Sequence, residues 1–485
     1  MESEQKAGVQ ISQRAFIQSL AILLVLIVLA GILTRVVPAG SYARVLENGR
    51  QVIDPQSYQA TPRPDYAIWR WFVAPLEVLA GPDNVTIIVI IIFLMMVGVS
   101  FGVLDKSGIL RAAIARLVRR FGARKYALLL AITFFFMLVG AFFGIFEEVV
   151  PLVPVMIALS YTLGWDTLTG LGMSILATNM GFSAAVTNPF TIGVAQRLAG
   201  LPLFSGAWLR VIIFLVVYTV TALFLLDHAR RVERDPASSP TYNEDRAARA
   251  KYTNVSFDTE SVSGAKMSAV IAWLLVFLVL ILAVLVAAPF VSIISDLSLP
   301  LVGLLFFIGG VGAGFLSGTS RGEVFKSIGE GFTGILPAVP LILMAASVKF
   351  IVFKGGIMDT ILHSASQPLA HLNPFAAALV VYLLALVIEV FISSGSAKAI
   401  LMMPILLPLG DLIGITRQVT VTAYCFGDGF SNLAYPTNPV LLICLGLTMV
   451  SYPKWLKWTS RLWFWVILVT VAFLGIAVAI HYGPF

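Results

Sequence analysis

Two short polar stretches interrupt apolar runs in nearly the same way. Residues 181–189 read GFSAAVTNP and residues 429–439 read GFSNLAYPTNP, about 250 residues apart. In each, an Asn-Pro pair breaks the helix that its apolar surroundings would build, because proline supplies no N–H and clashes with the preceding turn. Thr187 and Asn188 in the first, and Ser431, Asn432, Thr437 and Asn438 in the second, then offer hydroxyls and amides beside unwound backbone. Exposed half-helix N–H groups suit a carboxylate, and exposed carbonyls suit Na⁺ or an ammonium group. Asn188 and Asn438 are therefore candidate neighbours of a Na⁺ ion. A proline kink capped by asparagine would account for one copy; two copies in matching positions point to a substrate site.

Further polar residues lie inside apolar surroundings. Ser393, Ser394, Gly395 and Ser396 set three hydroxyls around a glycine, where backbone can approach a ligand closely. The stretch FGIFEE carries Glu147 and Glu148, and carboxylates at membrane depth need a cation, a proton or a basic partner. Lys398 maps onto Glu148 at an offset of 250, so a Glu148–Lys398 pair is one candidate; a substrate's cationic side chain or bound protons are the others. Glu389 and Asp428 are further acids in apolar runs, Asp428 directly before the second GFS. This charge type favours a zwitterionic or cationic substrate over a dianion, although Lys398 could itself hold a carboxylate. Glu148, Lys398, Asp428 and Glu389 are thus the coupling-ion or charge-pair candidates, with H⁺ or Na⁺ as the ion.

These residues need a membrane around them. The 485-residue chain is 59% hydrophobic and 12% charged, against about 25% charged in soluble proteins. That is the composition of an all-α polytopic membrane protein. The net charge of +7 sits in short loops between apolar segments, where it sets topology, so no nucleic-acid partner is expected. Cys425 and Cys444 lack metal-ligand spacing and the four histidines are scattered, so neither a metal site nor a cofactor is expected. HExxH and Walker-type loops are missing, which argues against an enzyme and against ATP-driven transport.

Apolar runs long enough to span fall at 16–37, 84–104, 207–226, 267–290, 297–318, 333–353 and 460–482. The broken helices occupy 167–200 and 417–449, and two runs with polar middles occupy 126–163 and 374–412. Basic residues concentrate at 105–125, 227–266 and 451–461, which the positive-inside rule places in the cytoplasm. Those assignments agree only if 126–163 and 374–412 are re-entrant hairpins, the first entering from the cytoplasm and the second from outside. The N-terminus is then cytoplasmic. Residues 106–124, with Ile109, Leu110, Ile114, Leu117 and Val118 among arginines, predict an amphipathic surface helix. DYAIWRWF, with Trp69 and Trp71, predicts an interfacial helix in an external segment.

The two halves repeat. DKSGIL at 105–110 is echoed by FKGGIM at 353–358, Pro154 by Pro404, Gly164 by Gly414, and TNP by TNP. The expected organisation is an N-terminal span and external segment (1–83), a first repeat (84–226), a flexible cytoplasmic linker (227–266), scaffold spans (267–332) and a second, inverted repeat (333–485). Inverted repeats with paired broken helices are the mark of secondary transporters.

With TNP in both broken helices and FISSGSAKA in the second hairpin, the chain resembles the YfcC-type carriers of the four-carbon dicarboxylate anaerobic carrier family, within the ion transporter superfamily. The resemblance runs from about residue 15 to the end. It implies a bacterial inner-membrane secondary carrier, homodimeric, with a transport domain moving against a scaffold as an elevator. It further implies basic amino acid antiport, with dicarboxylates or other organic anions carried by related families. The chain departs from the serine-asparagine-threonine hairpin tips of the dicarboxylate carriers.

Overall fold

Backbone polar groups in hydrocarbon must be satisfied within their own segment, so apolar runs of this length become helices. The computed structural model describes residues 13–47, 50–54, 56–110, 112, 116, 118, 121–246, 264–287, 291–367, 372–448 and 450–483. Among them nine helices are long and apolar enough to cross a membrane, which makes this a multi-pass membrane protein.

Helix α1 (Gln13–Val36) leads into two short antiparallel ribbons, β1 (Gly40–Ser41) with β4 (Gln59–Ala60) and β2 (Arg44–Glu47) with β3 (Arg50–Ile53). Helix α2 (Arg70–Glu77) follows where the interfacial helix is expected; Trp71 is buried against Gly31 and Trp69 is exposed. Next come α3 (Asn84–Lys106), α4 (Lys125–Phe143) and α5 (Val153–Thr162). Then α6 (Thr167–Leu171) passes through a π turn into α7 (Ala177–Ala184), and α8 (Val194–Leu198) resumes after the break, before α9 (Ala207–Arg234). In the second half lie α10 (Gly264–Ala287), α11 (Ser292–Leu316), α12 (Arg321–Ile335), α13 (Ala338–Lys354) and α14 (Met358–Ser366). The chain ends with α15 (Pro374–Ile388), α16 (Gly395–Ile413), α17 (Arg417–Gly429), α18 (Pro439–Gly446) and α19 (Tyr452–Ala479).

Both polar-centred runs double back. Lys125 Nζ at the start of α4 donates to Leu163 O beyond α5 at 3.5 Å. The Phe375 ring at the start of α15 packs on Gly475, and Thr416, past the end of α16, donates to Tyr482 O at 2.6 Å. Residues 125 and 163 of the first run thus lie together, and both outer ends of the second run lie along the C-terminal end of α19. Left-handed glycines recur at matching positions, Gly108 (φ 71°) with Gly356 (φ 67°) and Gly164 (φ 86°) with Gly414 (φ 83°).

The expected flexible linker is in part an anchor. Residues 235–246 fold over the start of α6, where Asp245 Oδ2 accepts from Thr167 N (3.0 Å) and Thr241 Oγ1 (2.8 Å). The helix cap Asp166 beneath them is bound by His228 Nε2 (2.9 Å) and Ser239 Oγ (2.7 Å). Burial pushes the Asp166 carboxyl up, but the imidazole and the hydroxyl donors outweigh it and hold the group well below the usual carboxylate range. Residues 247–263, the rest of the linker, lie outside the described residues. So do Arg111, Ile114, Leu117, Arg119 and Arg120 of the expected surface helix; of that stretch Ile109 and Leu110 are buried, Ile109 against α10 and α11. Helix α12 falls between expected spans; its signal is the capping box Ser320/Glu323.

Helix α3 packs on α11 and α12 through small residues, as membrane helices do when no water drives them together. A Cβ on Gly331 of α12 would lie 2.8 Å from Val99 Cα, whereas one on Gly329 would meet nothing within 4 Å. Gly331→Ala is expected to cost about 1–3 kcal/mol through overpacking. Gly329→Ala should stabilise by roughly 0.5–1 kcal/mol, because glycine weakens a helix interior. Melting temperatures in detergent check the pair; equal shifts at both positions would contradict the packing described.

Candidate functional site

Each broken helix is closed by its asparagine. After α7 the chain turns through Ala185, in the left-handed region (φ 46°), and Asn188 caps the segment beyond. Asn188 Oδ1 accepts from Phe190 N (2.9 Å) and Thr191 N (3.4 Å), while its Nδ2 reaches back to Phe182 O (3.2 Å). Asn438 repeats this with Val440 N (3.0 Å) and Leu441 N (3.4 Å), its Nδ2 donating to Asn432 Oδ1 (3.3 Å). Both amides thus tie the two sides of a break together and use their oxygens as helix caps.

The hairpin tips dock on the breaks. Thr187 N and Oγ1 donate to Ala141 O (3.1 Å) and Phe142 O (2.9 Å) at the end of α4. Gly144, at φ 70°, lets that tip pass against the Asn188 side chain, where any Cβ would collide. The 3₁₀ turn Glu147–Leu152 of this tip packs on α18. The second tip crosses the other way: a Cβ on Gly395 would meet Thr191 Cγ2 and Asp428 Oδ2, each at 2.8 Å. Tyr424 of α17 also donates to Gly395 O. Gly429 packs on Ser183, so the two GFS motifs touch. The two breaks, the two GFS motifs, Gly395 and Asp428 therefore meet at one centre, with the first tip against Asn188 and α18.

The charges are distributed otherwise than expected. Glu148 and Lys398 do not pair. Lys398, fully buried, ion-pairs with Glu389 nine residues earlier in the same hairpin, and its Nζ lies 2.8 Å from Asp428 Oδ1. A desolvated ammonium takes the carboxylates against which it is packed, and both belong to the second half. Glu147 and Glu148 are half-buried and form no ion pair among the described residues; Glu148 Oε2 accepts from Phe146 N at 3.2 Å. Ser394 is exposed and caps α16, with Ser396 Oγ 3.4 Å away, and Ser393 is half-buried. Ser431 Oγ donates to Gly427 O of its own helix (2.7 Å), as Ser183 does to Asn179 O (2.6 Å). Thr437 Oγ1 is buried without a hydrogen-bond partner.

Three residues at this centre were not anticipated. Arg210 of α9 is 1% exposed and gives its guanidinium to Val186 O (3.1 Å), Ser205 O (2.8 Å), Phe204 O (3.1 Å) and Tyr482 OH (3.2 Å). It satisfies a carbonyl that the first break frees; its signal was a lone arginine opening an apolar run. Asn179 is fully buried with both amide atoms unpartnered, one helical turn before Ser183. Thr191 is buried, its methyl group beside Gly395 and its hydroxyl toward the Cys425 thiol. Among the described residues no group of three or more His, Cys, Asp or Glu is placed to hold a metal ion.

Comparison with known proteins gives these features a family. YfcC of Escherichia coli (strain K12), provisionally named a basic amino acid antiporter, is 30% identical over 473 residues, covering 90% of this chain and 92% of YfcC. An uncharacterised protein of Haemophilus influenzae is 24% identical over 395 residues, 81% of this chain and 76% of that protein. Among solved structures, the YdaH transporter of Alcanivorax borkumensis aligns with TM-score 0.44 and 17% identity, over 97% of this chain and 100% of that one. MtrF of Neisseria gonorrhoeae, from a class of antimetabolite efflux pumps, aligns with TM-score 0.44 and 15% identity, over 95% of each chain. Likeness that distant fixes neither substrate nor mechanism. The family model for the C4-dicarboxylate anaerobic carrier matches residues 16–479. The protein is a carrier rather than an enzyme, and it belongs to the C4-dicarboxylate anaerobic carrier family.

Proposed function

We propose that the protein is a secondary transporter that exchanges basic amino acids, of the arginine or ornithine kind, across the cytoplasmic membrane. Charge balance at the centre carries this reading. Glu389 and Asp428 hold Lys398 between them, and Glu147 and Glu148 at the first hairpin tip form no ion pair among the described residues. Arg210 spends its donors on carbonyls and a tyrosine hydroxyl. Among the described residues no free cation remains at the tips to draw in a dicarboxylate, while Glu147 and Glu148 leave two carboxylates for a substrate's side-chain cation. The substrate carboxylate and α-amino group then meet the hydroxyls of Ser393–Ser396, Thr437, and the half-helix ends at Asn188 and Asn438. The name of the E. coli relative supports this choice; the family's description as a dicarboxylate carrier supports the alternative, an organic anion carried with Na⁺ or H⁺.

In this reading both hairpins are re-entrant, and the end gathering Asp166, His228, Glu244 and Lys454 faces the cytoplasm, as does the N-terminus. Hairpins and broken helices move together as an elevator against α3 and α10–α12, in a homodimer.

Three tests bear on it. Labelled arginine should accumulate in proteoliposomes by exchange, and labelled succinate should not; the reverse result selects the anion reading. Because Glu148 has no ion pair to lose, Glu148→Gln should keep the melting temperature while weakening arginine uptake at least tenfold. Unaltered arginine affinity in both Glu147→Gln and Glu148→Gln would remove these carboxylates from the site.

Asn188→Ala and Asn438→Ala should each lose transport more than tenfold. Loss of a cap alone costs about 1 kcal/mol, so both variants should still fold. A variant that transports normally reduces its asparagine to a helix cap.

Sidedness is read by an impermeant thiol reagent, in a background without Cys425 and Cys444. Leu412→Cys, highly exposed, should label from outside, and Thr162→Cys only after permeabilisation. External labelling of Thr162→Cys would rule out a re-entrant first hairpin.

A further inference from the structure

Glu389, Lys398 and Asp428 are each 0% exposed, and they are more than a salt bridge. One ammonium faces two carboxylates, so full ionisation would leave a net negative charge with no water around it. Such a charge is costly unless a cation or proton neutralises it. Each carboxylate keeps an unserved oxygen: Glu389 Oε1 and Asp428 Oδ2 accept no hydrogen bond among the described residues.

The surrounding groups do not supply the missing charge. On α17, Tyr424 and Cys425 face the cluster as uncharged side chains, with Tyr424 bonded to Gly395 O. Tyr435 comes from the second break. Arg210 reaches toward Cys425 from α9 but is held by carbonyls and Tyr482. The ammonium already occupies the ground between the carboxylates, where Na⁺ would need several oxygens of its own. The cluster is also close to the substrate path. Asp428 Oδ2 lies directly beneath Gly395, and Ser394, next to it, is exposed.

We propose that Glu389 and Asp428 share one exchangeable proton beside Lys398, and that this proton competes with the substrate's cation for the cluster's negative charge. The inference rests on the basic amino acid reading and adds the coupling ion to it. With the proton bound, the cluster is neutral and adds no charge to that of Glu147 and Glu148. When the proton leaves for water on one side, the freed carboxylate attracts the substrate cation. When the substrate departs on the other side, a carboxylate oxygen takes a proton from water and the cycle closes. One cation and one proton therefore cross in opposite directions, with no oxidant or reductant involved.

The experiment uses the intact protein in proteoliposomes with a pH dye inside. Arginine entering down its gradient should raise internal pH, with about one proton leaving per arginine and no requirement for Na⁺. The wild-type KM for arginine should rise by up to tenfold per pH unit as the medium is acidified, since proton and substrate compete. In Glu389→Gln, and independently in Asp428→Asn, that pH dependence should flatten to less than about twofold between about pH 6 and pH 8, and the internal pH change should vanish. Arginine counterflow without any pH change, or uptake driven by a Na⁺ gradient alone, overturns the proton site while leaving the amino acid reading intact. Failure of arginine counterflow, with succinate carried instead, overturns the substrate reading and the competition with it. The wild-type measurement decides even if neither variant folds.

Discussion

A helix broken in the middle of an apolar run releases N–H and C=O groups where no lipid can receive them. The centre of this protein is organised around that constraint. Asn188 and Asn438 take up the N–H groups that restart each helix, and Asn188 Nδ2 and Arg210 take up freed carbonyls. Thr187 closes the exposed carbonyl end of α4 in the same region. Among the described residues, atoms of Asn179, Thr437, Glu389 and Asp428 are left there without a hydrogen-bond partner. In a buried site, partners missing from the protein are the places where a ligand can contribute them.

The pairing of hairpin tips with breaks ties the halves together. The first tip lies against its own half's Asn188 and against α18 of the other half, and the second lies between Asp428 and Thr191. Close approach depends on glycine at several of these crossings: a Cβ on Gly429 would come 2.6 Å from Ser183 Cα. Polar chemistry sits at the crossings, and apolar helices hold them in place. The acidic excess is shared between halves, but Lys398 belongs to one of them, so the pseudo-symmetry of the backbone does not extend to its charges.

Much of this was legible in the chain. Span positions followed from length and apolarity, and the breaks from Asn-Pro. The glycines matched in sequence, Gly108 with Gly356 and Gly164 with Gly414, are all left-handed in the backbone. The partners of Lys398 were not legible, because an offset of 250 compares positions in a repeat and says nothing about which neighbours a buried side chain meets. Arg210 and Asn179 were overlooked since each is a single polar residue in an apolar run, with no partner close in sequence. The anchoring of 235–246 depends on Asp245 reaching Thr167, 78 residues away, which composition cannot reveal.

The two ends of the broken helices are covered by unlike pieces of chain. Asp166, capping α6, lies under the segment that joins the halves, whereas its counterpart Thr416, capping α17, is fastened to Tyr482 near the C-terminus. An inverted repeat of identical halves would have two access states of equal energy. Here the covers differ in kind: one is an ionic and hydroxyl network on Asp166, the other joins Thr416 to Tyr482 O while the Tyr482 hydroxyl meets Gly206 O and Arg210. The two ends are therefore held by unlike chemistry, and loosening one need not loosen the other.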